Sequence, residues 1–176
     1  MKKKKQILAI VGSASSNSSN LKLIKKLAHL IENESSIIIY EELKNLPHFD
    51  PDVSLINTPQ IILDFRKLIE TSDGVIICTP EYIFSIPSGL KNAIEWCVST
   101  IVFLDKPLGI ITASANGIKA HEELQLIMKT VSAKFTNETT LLIQGIKSKF
   151  DNRDNIIDSK MNKKLDDFIH NFMNLI

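Results

Sequence analysis

Nine consecutive residues, Gly12-Ser13-Ala14-Ser15-Ser16-Asn17-Ser18-Ser19-Asn20, hold one Gly, five Ser, two Asn and a single small apolar side chain. A segment of that make-up does not pack a core. Its hydroxyls and carboxamides, with free backbone N–H groups at a helix start, can donate many hydrogen bonds to a phosphate monoester in the field of the helix dipole. It has neither the Gly-x-x-x-x-Gly-Lys-Ser/Thr pattern of triphosphate loops nor the Gly-x-Gly-x-x-Gly of dinucleotide folds. Alone, it reads equally as a Ser-rich turn with an Asn or Ser N-cap.

Two further segments have the composition of binding loops. Thr79 to Gly89 (TPEYIFSIPSG) holds two stiffening prolines and two of the chain's few aromatics, Tyr82 and Phe84, at exposed loop positions, where a planar ligand or a neighbouring subunit would cover them. Thr112-Ala113-Ser114-Ala115-Asn116-Gly117 is built of small side chains that let a ligand approach the backbone, and Gly117 can supply a positive φ.

All three segments follow short aliphatic runs. Ile7 to Val11, Ile37 to Tyr40, Val75 to Cys78, Leu108 to Thr112 and Leu141 to Ile143 are continuous rather than alternating in apolarity, the pattern of strands buried on both faces of a parallel sheet. Between and after them apolar residues recur at helical spacing: Leu21, Ile24, Ala28 and Ile31; Ile62, Phe65 and Ile69; Leu90, Ala93, Ile94, Cys97 and Ile101; Ala120, Leu124, Ile127, Met128 and Val131; Met161, Leu165, Phe168, Ile169 and Phe172. Thr58-Pro59 predicts an N-cap with proline at the first helical position. Five βα units predict an α/β three-layer doubly wound sandwich, with ligands beyond the carboxyl ends of the strands. Asn45 to Asn57 reads as an irregular surface loop, over a sheet edge or at a dimer contact, with His48 a loop residue.

Composition removes other classes. With 21 Lys+Arg against 20 Asp+Glu the net charge is +1, too small for the broad positive field of a nucleic-acid binder. Cys78 and Cys97 have no His or Cys at metal-ligand spacing and form no disulfide framework, which fits a reducing, cytoplasmic setting. Lys2 to Lys5 read as a solvated tail, the apolar run behind them is too short for a signal peptide, and no segment has membrane-span length.

Taken together, the three loops resemble the NADPH-dependent FMN reductase family of flavodoxin-like proteins, which includes quinone, azo-dye and chromate reductases. The most specific piece is Pro80-Glu81-Tyr82, then Ser85-Ile86-Pro87 and Leu90-Lys91-Asn92-Ala93-Ile94-Glu95-Trp96, which looks like the family's flavin-ring loop and the helix after it. The family's first loop reads Gly-Ser-x-Arg, then Ser-x-Asn; here it is Gly12-Ser13-Ala14-Ser15, then Ser18-Ser19-Asn20. The resemblance implies a single flavodoxin-like FMN-binding domain over residues 1–176, with a five-stranded parallel sheet in the order 2-1-3-4-5. It assigns Ser13, Ser15, Ser18 and Asn20 to the FMN phosphate, and Pro80, Glu81, Tyr82 and Ile83 to the isoalloxazine edge. Ser114, Asn116 and Gly117 would close the other side of the ring. Ser15 stands where the family usually has Arg, leaving the phosphate to neutral donors and the helix start. Ile83 stands where Asn is frequent, the third loop has fewer glycines, and His121 lies where Gln is common.

The implied activity is an FMN-dependent oxidoreductase of the flavoprotein class. Hydride passes from NADPH or NADH to FMN and then to a small-molecule acceptor: a quinone, azo compound, flavin or metal oxyanion. No side chain is assigned as nucleophile or general base, no metal is expected, and Cys78, Cys97 and His121 are read as structural or surface residues. A homodimer or homotetramer is expected, with the apolar tip Ile83, Phe84 and Ile86 at a contact, and neither nucleic acid nor membrane as partner. Two other readings stay open: a flavodoxin-like electron carrier, against which the near-zero net charge counts, and a flavin-free interaction module that kept the fold.

Overall fold

The computed structural model describes residues 4–176. Each of the five aliphatic runs is a strand, extended by two residues because backbone pairing continues past the apolar side chains: β1 (Lys5–Val11), β2 (Ser35–Tyr40), β3 (Gly74–Thr79), β4 (Leu108–Ser114) and β5 (Thr140–Gln144). They form one parallel sheet in the order β2-β1-β3-β4-β5, as expected. The helices are α1 (Ser19–Leu30), α2 (Gln60–Thr71), α3 (Ser88–Glu95), α4 (Ile118–Thr130) and α5 (Ser159–Leu175).

Alternate strand residues face opposite layers, so the sheet divides the core in two. Leu8, Ile10, Val75, Ile77, Leu108 and Ile110 pack against α2, α3 and α4. Ile7, Ala9, Ile76, Cys78, Ile111 and Ala113 pack against α1 and α5. Both faces of β3 are buried along its whole length, whereas edge strand β2 is mostly half-buried. Full burial of one such aliphatic side chain contributes about 1.5–3 kcal/mol, so the central strands form a rigid floor for the loops at their carboxyl ends.

Three local expectations are corrected. Pro59, not Thr58, is the N-cap of α2; it has extended ψ, and the Thr58 hydroxyl instead donates to Ser54 O at 2.8 Å. Helix α3 ends at Glu95 and the chain passes into turns, so Cys97 is buried but Ile101 is 78% exposed. Lys5 is no tail residue: it opens β1, and its Nζ donates to Ile176 O at 2.9 Å. Lys2 and Lys3 lie outside the described residues.

Much of the Asn45 to Asn57 loop is fastened along α3. Asn92 accepts from Phe49 N at 2.7 Å and donates to Pro47 O at 2.9 Å. The buried Trp96 donates Nε1 to the same carbonyl and meets Phe49 edge-on, with ring centroids 5.3 Å apart. The buried Arg66 guanidinium donates to Trp96 O, Ser54 Oγ and Ser99 Oγ, joining the loop to the turn after α3. His48 is exposed, as a loop residue should be.

Candidate functional site

The carboxyl ends of the parallel strands share one edge of the sheet, and chain order reverses between β1 and β3. The first loop leaves β1 at that reversal. Gly12 N donates to Cys78 O at 2.8 Å, and a Cβ here would lie 2.5 Å from Thr79 Oγ1, so only glycine lets β1 exit flush against β3. Ser18 caps α1 by accepting from Leu21 N at 3.1 Å, which leaves its hydroxyl proton free to donate outward. Asn20 is buried; its Nδ2 donates to Ala113 O at 3.1 Å and its Oδ1 accepts from the Cys78 thiol at 3.2 Å. The start of α1 is thereby tied to β3 and β4. One carboxamide proton of Asn20 is left over.

The second loop is a tight hairpin. Tyr82 N donates to Ser85 O at 2.9 Å and Ser85 N to Tyr82 O at 3.1 Å, and the intervening Ile83 and Phe84 have φ of 51° and 59°. Two successive left-handed residues are what a type I′ turn requires, a place normally taken by Asn-Gly. A non-glycine side chain there costs about 1–2 kcal/mol per residue, the more so for β-branched Ile83. Ile83 is 96% and Phe84 73% exposed, but Ile86 is buried, which corrects its assignment to the exposed tip: its side chain belongs to the α3 layer.

Two carboxylates hold this strained loop to α4. Glu81 accepts from Gly117 N at 3.2 Å and from Ala120 N at 3.0 Å, capping a helix whose N-cap, Gly117 at φ 86°, has no side chain to do so. Glu123, on α4, accepts from Ser85 Oγ at 2.7 Å and Ile86 N at 2.9 Å. The loop is thus pinned at both ends. In the third loop Asn116 Oδ1 accepts from Gln144 Nε2 at 2.9 Å, and His121 Nδ1 lies 2.9 Å from Thr112 Oγ1. Burial pushes the His121 pKa down, so the ring is neutral at pH 7. Burial pushes the Cys78 thiol up and the Cys97 thiol up to about 12, leaving both as inert packing residues.

Between these loops lies a cavity of about 590 Å³. That is the size class of a small-molecule or cofactor site, about 300–1,000 Å³. Ser13, Ser15, Ser18 and Asn20 line one part of it, Pro80, Glu81 and Tyr82 another, and Ser114 a third. Ile83, Asn116 and Gly117 lie outside its wall: Ile83 on the hairpin tip, and the other two turned to Gln144 and Glu81. The wall also contains the turn Gly145 to Ser148, which the sequence reading missed. Its local signal is a Gly followed by Lys and Ser just past a strand end. A second cavity, of about 600 Å³, opens between the first loop and α3 and shares Ser13, Ser15 and Tyr82 with the first; a Ser13 to Tyr82 hydroxyl contact of 3.3 Å stands at the boundary.

The donor set fits an FMN. A hydroxyl-rich end beside the start of α1 matches a phosphate, and Pro80, Ala113 and Ala115 give apolar surface beside polar backbone for a heteroaromatic ring.

Comparison with known proteins agrees. The NADH:(hydroxy)cinnamate reductase subunit CrdA of Vibrio ruber is 39% identical over 111 residues, 61% of this chain but only 52% of that protein, so this chain matches about half of the relative's length. The quinone reductase of Escherichia coli K12 is 28% identical over 144 residues, 78% of this chain and 77% of that one. Among solved structures, the flavoenzyme NAD(P)H:(acceptor) oxidoreductase FerB of Paracoccus denitrificans superposes with a TM-score of 0.86 at 28% identity, covering 97% of this chain and 96% of FerB. The profile of the NADPH-dependent FMN reductases matches residues 6–147, from the start of β1 through all three loops into the turn after β5. By that match, on a flavodoxin-like sheet with its cavity at the strand-order reversal, the chain belongs to the NADPH-dependent FMN reductase family.

Proposed function

We propose that this chain is an FMN-dependent NAD(P)H oxidoreductase acting on a small planar or oxyanionic acceptor, with the net reaction NAD(P)H + H⁺ + quinone → NAD(P)⁺ + hydroquinone for the quinone case. The observation that carries the reading is the cavity at the β1/β3 reversal, which brings the Ser/Asn loop, the hairpin loop and the β4 loop onto one wall. Bound FMN would supply hydride acceptance from the nicotinamide and electron delivery to the acceptor. The chain's own part is to bind and orient. In this reading the hydroxyls of Ser13, Ser15 and Ser18, with the spare Asn20 proton, hold the phosphate at the start of α1. Pro80, Glu81, Tyr82 and Ser114 offer backbone and edge contacts to the ring, while Ile83, Asn116 and Gly117 act at one remove by shaping the loops. Clamping by Glu81 and Glu123 pre-organises the ring loop, so little ordering entropy is lost on binding.

The same proposal makes the chain a homodimer or homotetramer in the cytoplasm. Exposed apolar side chains such as Ile83, Phe84, Leu55, Ile56 and Val98 favour self-association, and two unpaired cysteines suit a reducing compartment. Among the described residues no helix is long and apolar enough to cross a membrane. Anaerobic mixing of the FMN-loaded protein with NADH and with NADPH, followed by a quinone, tests the activity. Bleaching of the visible flavin band by at least one nicotinamide and its return with the quinone are expected. No bleaching by either overturns the oxidoreductase reading, and light scattering that finds only monomer overturns the assembly.

A further inference from the structure

The wall of the flavin-sized cavity has an asymmetric charge inventory. Its phosphate end is neutral, Ser and Asn throughout, and its one acidic residue, Glu81, is committed to the amides of α4. A phosphate monoester carries a charge of about −1.5 to −2 at pH 7. Neutral hydroxyls and a helix start can hydrogen-bond that charge without balancing it. Among the described lining residues a single basic side chain is present, Lys147, on the turn that follows β5.

Lys147 is set apart from the neighbouring lysines by what it does not do. Lys22 pairs with Asp154 at 2.6 Å and Lys149 pairs with Asp158, so both spend their charge within the protein. Among the described residues Lys147 has neither an ion-pair partner nor a side-chain hydrogen bond. Its backbone, by contrast, is held on both sides. Gly145 N donates to Ala115 O at 3.1 Å, Ile146 is buried in the α1/α5 layer, Ser148 Oγ donates to Gly145 O at 2.9 Å, and Ile157 N donates to Lys149 O at 3.0 Å. Lys147 is thus an exposed, unpaired lysine on a fixed turn that shares the cavity wall with the Ser/Asn loop.

We propose that Lys147 is the phosphate counter-charge of this chain, supplied from the β5–α5 turn across the cavity from Ser13, Ser15 and Ser18, so that FMN is selected over riboflavin. The inference rests on the flavin reading above and adds to it the residue that discriminates the phosphorylated cofactor. It also accounts for a first loop with no cation, because Ser15 need not be charged when the charge arrives from the far wall.

The test is flavin titration by fluorescence quenching, with FMN and riboflavin in parallel, on the parent chain and on Lys147→Gln, Lys147→Arg and Lys147→Gln combined with Ser15→Arg. Loss of a charge-assisted contact is expected to weaken FMN about tenfold or more in Lys147→Gln. Riboflavin affinity and the melting temperature of the flavin-free protein stay unchanged. The salt dependence of FMN binding flattens. Lys147→Arg keeps FMN selection, and Ser15→Arg restores it from the opposite wall. Equal loss of FMN and riboflavin in Lys147→Gln, or no loss of either, overturns the assignment while leaving the flavin site standing. A parent protein that binds neither flavin overturns the flavin reading itself.

Discussion

Replacing Glu81 by alanine removes the one side chain that closes the start of α4. Its carboxylate accepts two backbone N–H groups, Gly117 at 3.2 Å and Ala120 at 3.0 Å, at a helix whose own N-cap is glycine. Loss of a helix cap costs about 0.5–2 kcal/mol. Loss of an anion at the positive helix end adds about 0.3–1 kcal/mol. Glu81→Ala is therefore expected to destabilise the flavin-free protein by about 1–3 kcal/mol, and at about 2–4 °C per kcal/mol for a chain of this length a mid-range loss lowers Tm by about 4–8 °C. Glu81→Gln retains one good acceptor but no charge and should fall between. Because Glu123 holds the other end of the same loop, through Ser85 and Ile86, the double substitution should deviate from additivity by about 0.5 kcal/mol or more. Calorimetric melts of the parent, Glu81→Ala, Glu81→Gln, Glu123→Ala and the Glu81→Ala/Glu123→Ala double variant measure both quantities. A Glu81→Ala melt within about 1 °C of the parent, a shift worth well under 1 kcal/mol, would refute the clamp.

Other outcomes follow from the same geometry. Ile83→Asn places a residue tolerant of left-handed φ in the hairpin tip and should raise the Tm of the flavin-free protein by about 2–4 °C; a lower Tm would show that Ile83 is not strained. With both thiols buried and their pKa values pushed up, a thiol reagent at mildly alkaline pH should label neither Cys78 nor Cys97 until denaturant is added, and rapid labelling of the folded chain would contradict their packing role. The folded state holds the His121 pKa below its ordinary value of 6.5, so the unfolded chain takes up the proton first as pH falls. Stability from neutral His121 is complete above that value and lost below it. Urea melts across that window should show a slope that His121→Gln reduces; an unchanged slope would assign the dependence elsewhere.

The layout of the sheet was legible because burial on both faces leaves continuous aliphatic runs, and each of the five became a strand. Helix cores were legible by the same periodicity, except where a helix stopped early: Ile101 continues the spacing of Leu90 and Cys97 but falls past the end of α3 at Glu95. The binding loops were readable from composition and from the Pro80-Glu81-Tyr82 motif, yet what each side chain does there was not. Glu81 reads as a ring-edge residue in sequence; in the structure it lines the cavity while its carboxylate binds helix amides 36 and 39 residues away, a pairing that local pattern does not encode. Asn20, assigned to the FMN phosphate in sequence, lines the cavity but also bonds to Ala113 and Cys78, contacts that its neighbours in sequence do not announce. The turn bearing Lys147 has a local signal in Gly145, Lys147 and Ser148, but its place in the cavity wall is set by residues after β1 that lie more than a hundred positions earlier in the chain.

The central claim is that the cavity between these loops holds FMN, and direct titration of the purified, flavin-stripped protein with FMN tests it. The account predicts saturable binding, with quenched flavin fluorescence, a perturbed visible band and a Tm that rises with FMN concentration. A flavin spectrum and a Tm that stay unchanged throughout the titration would contradict it.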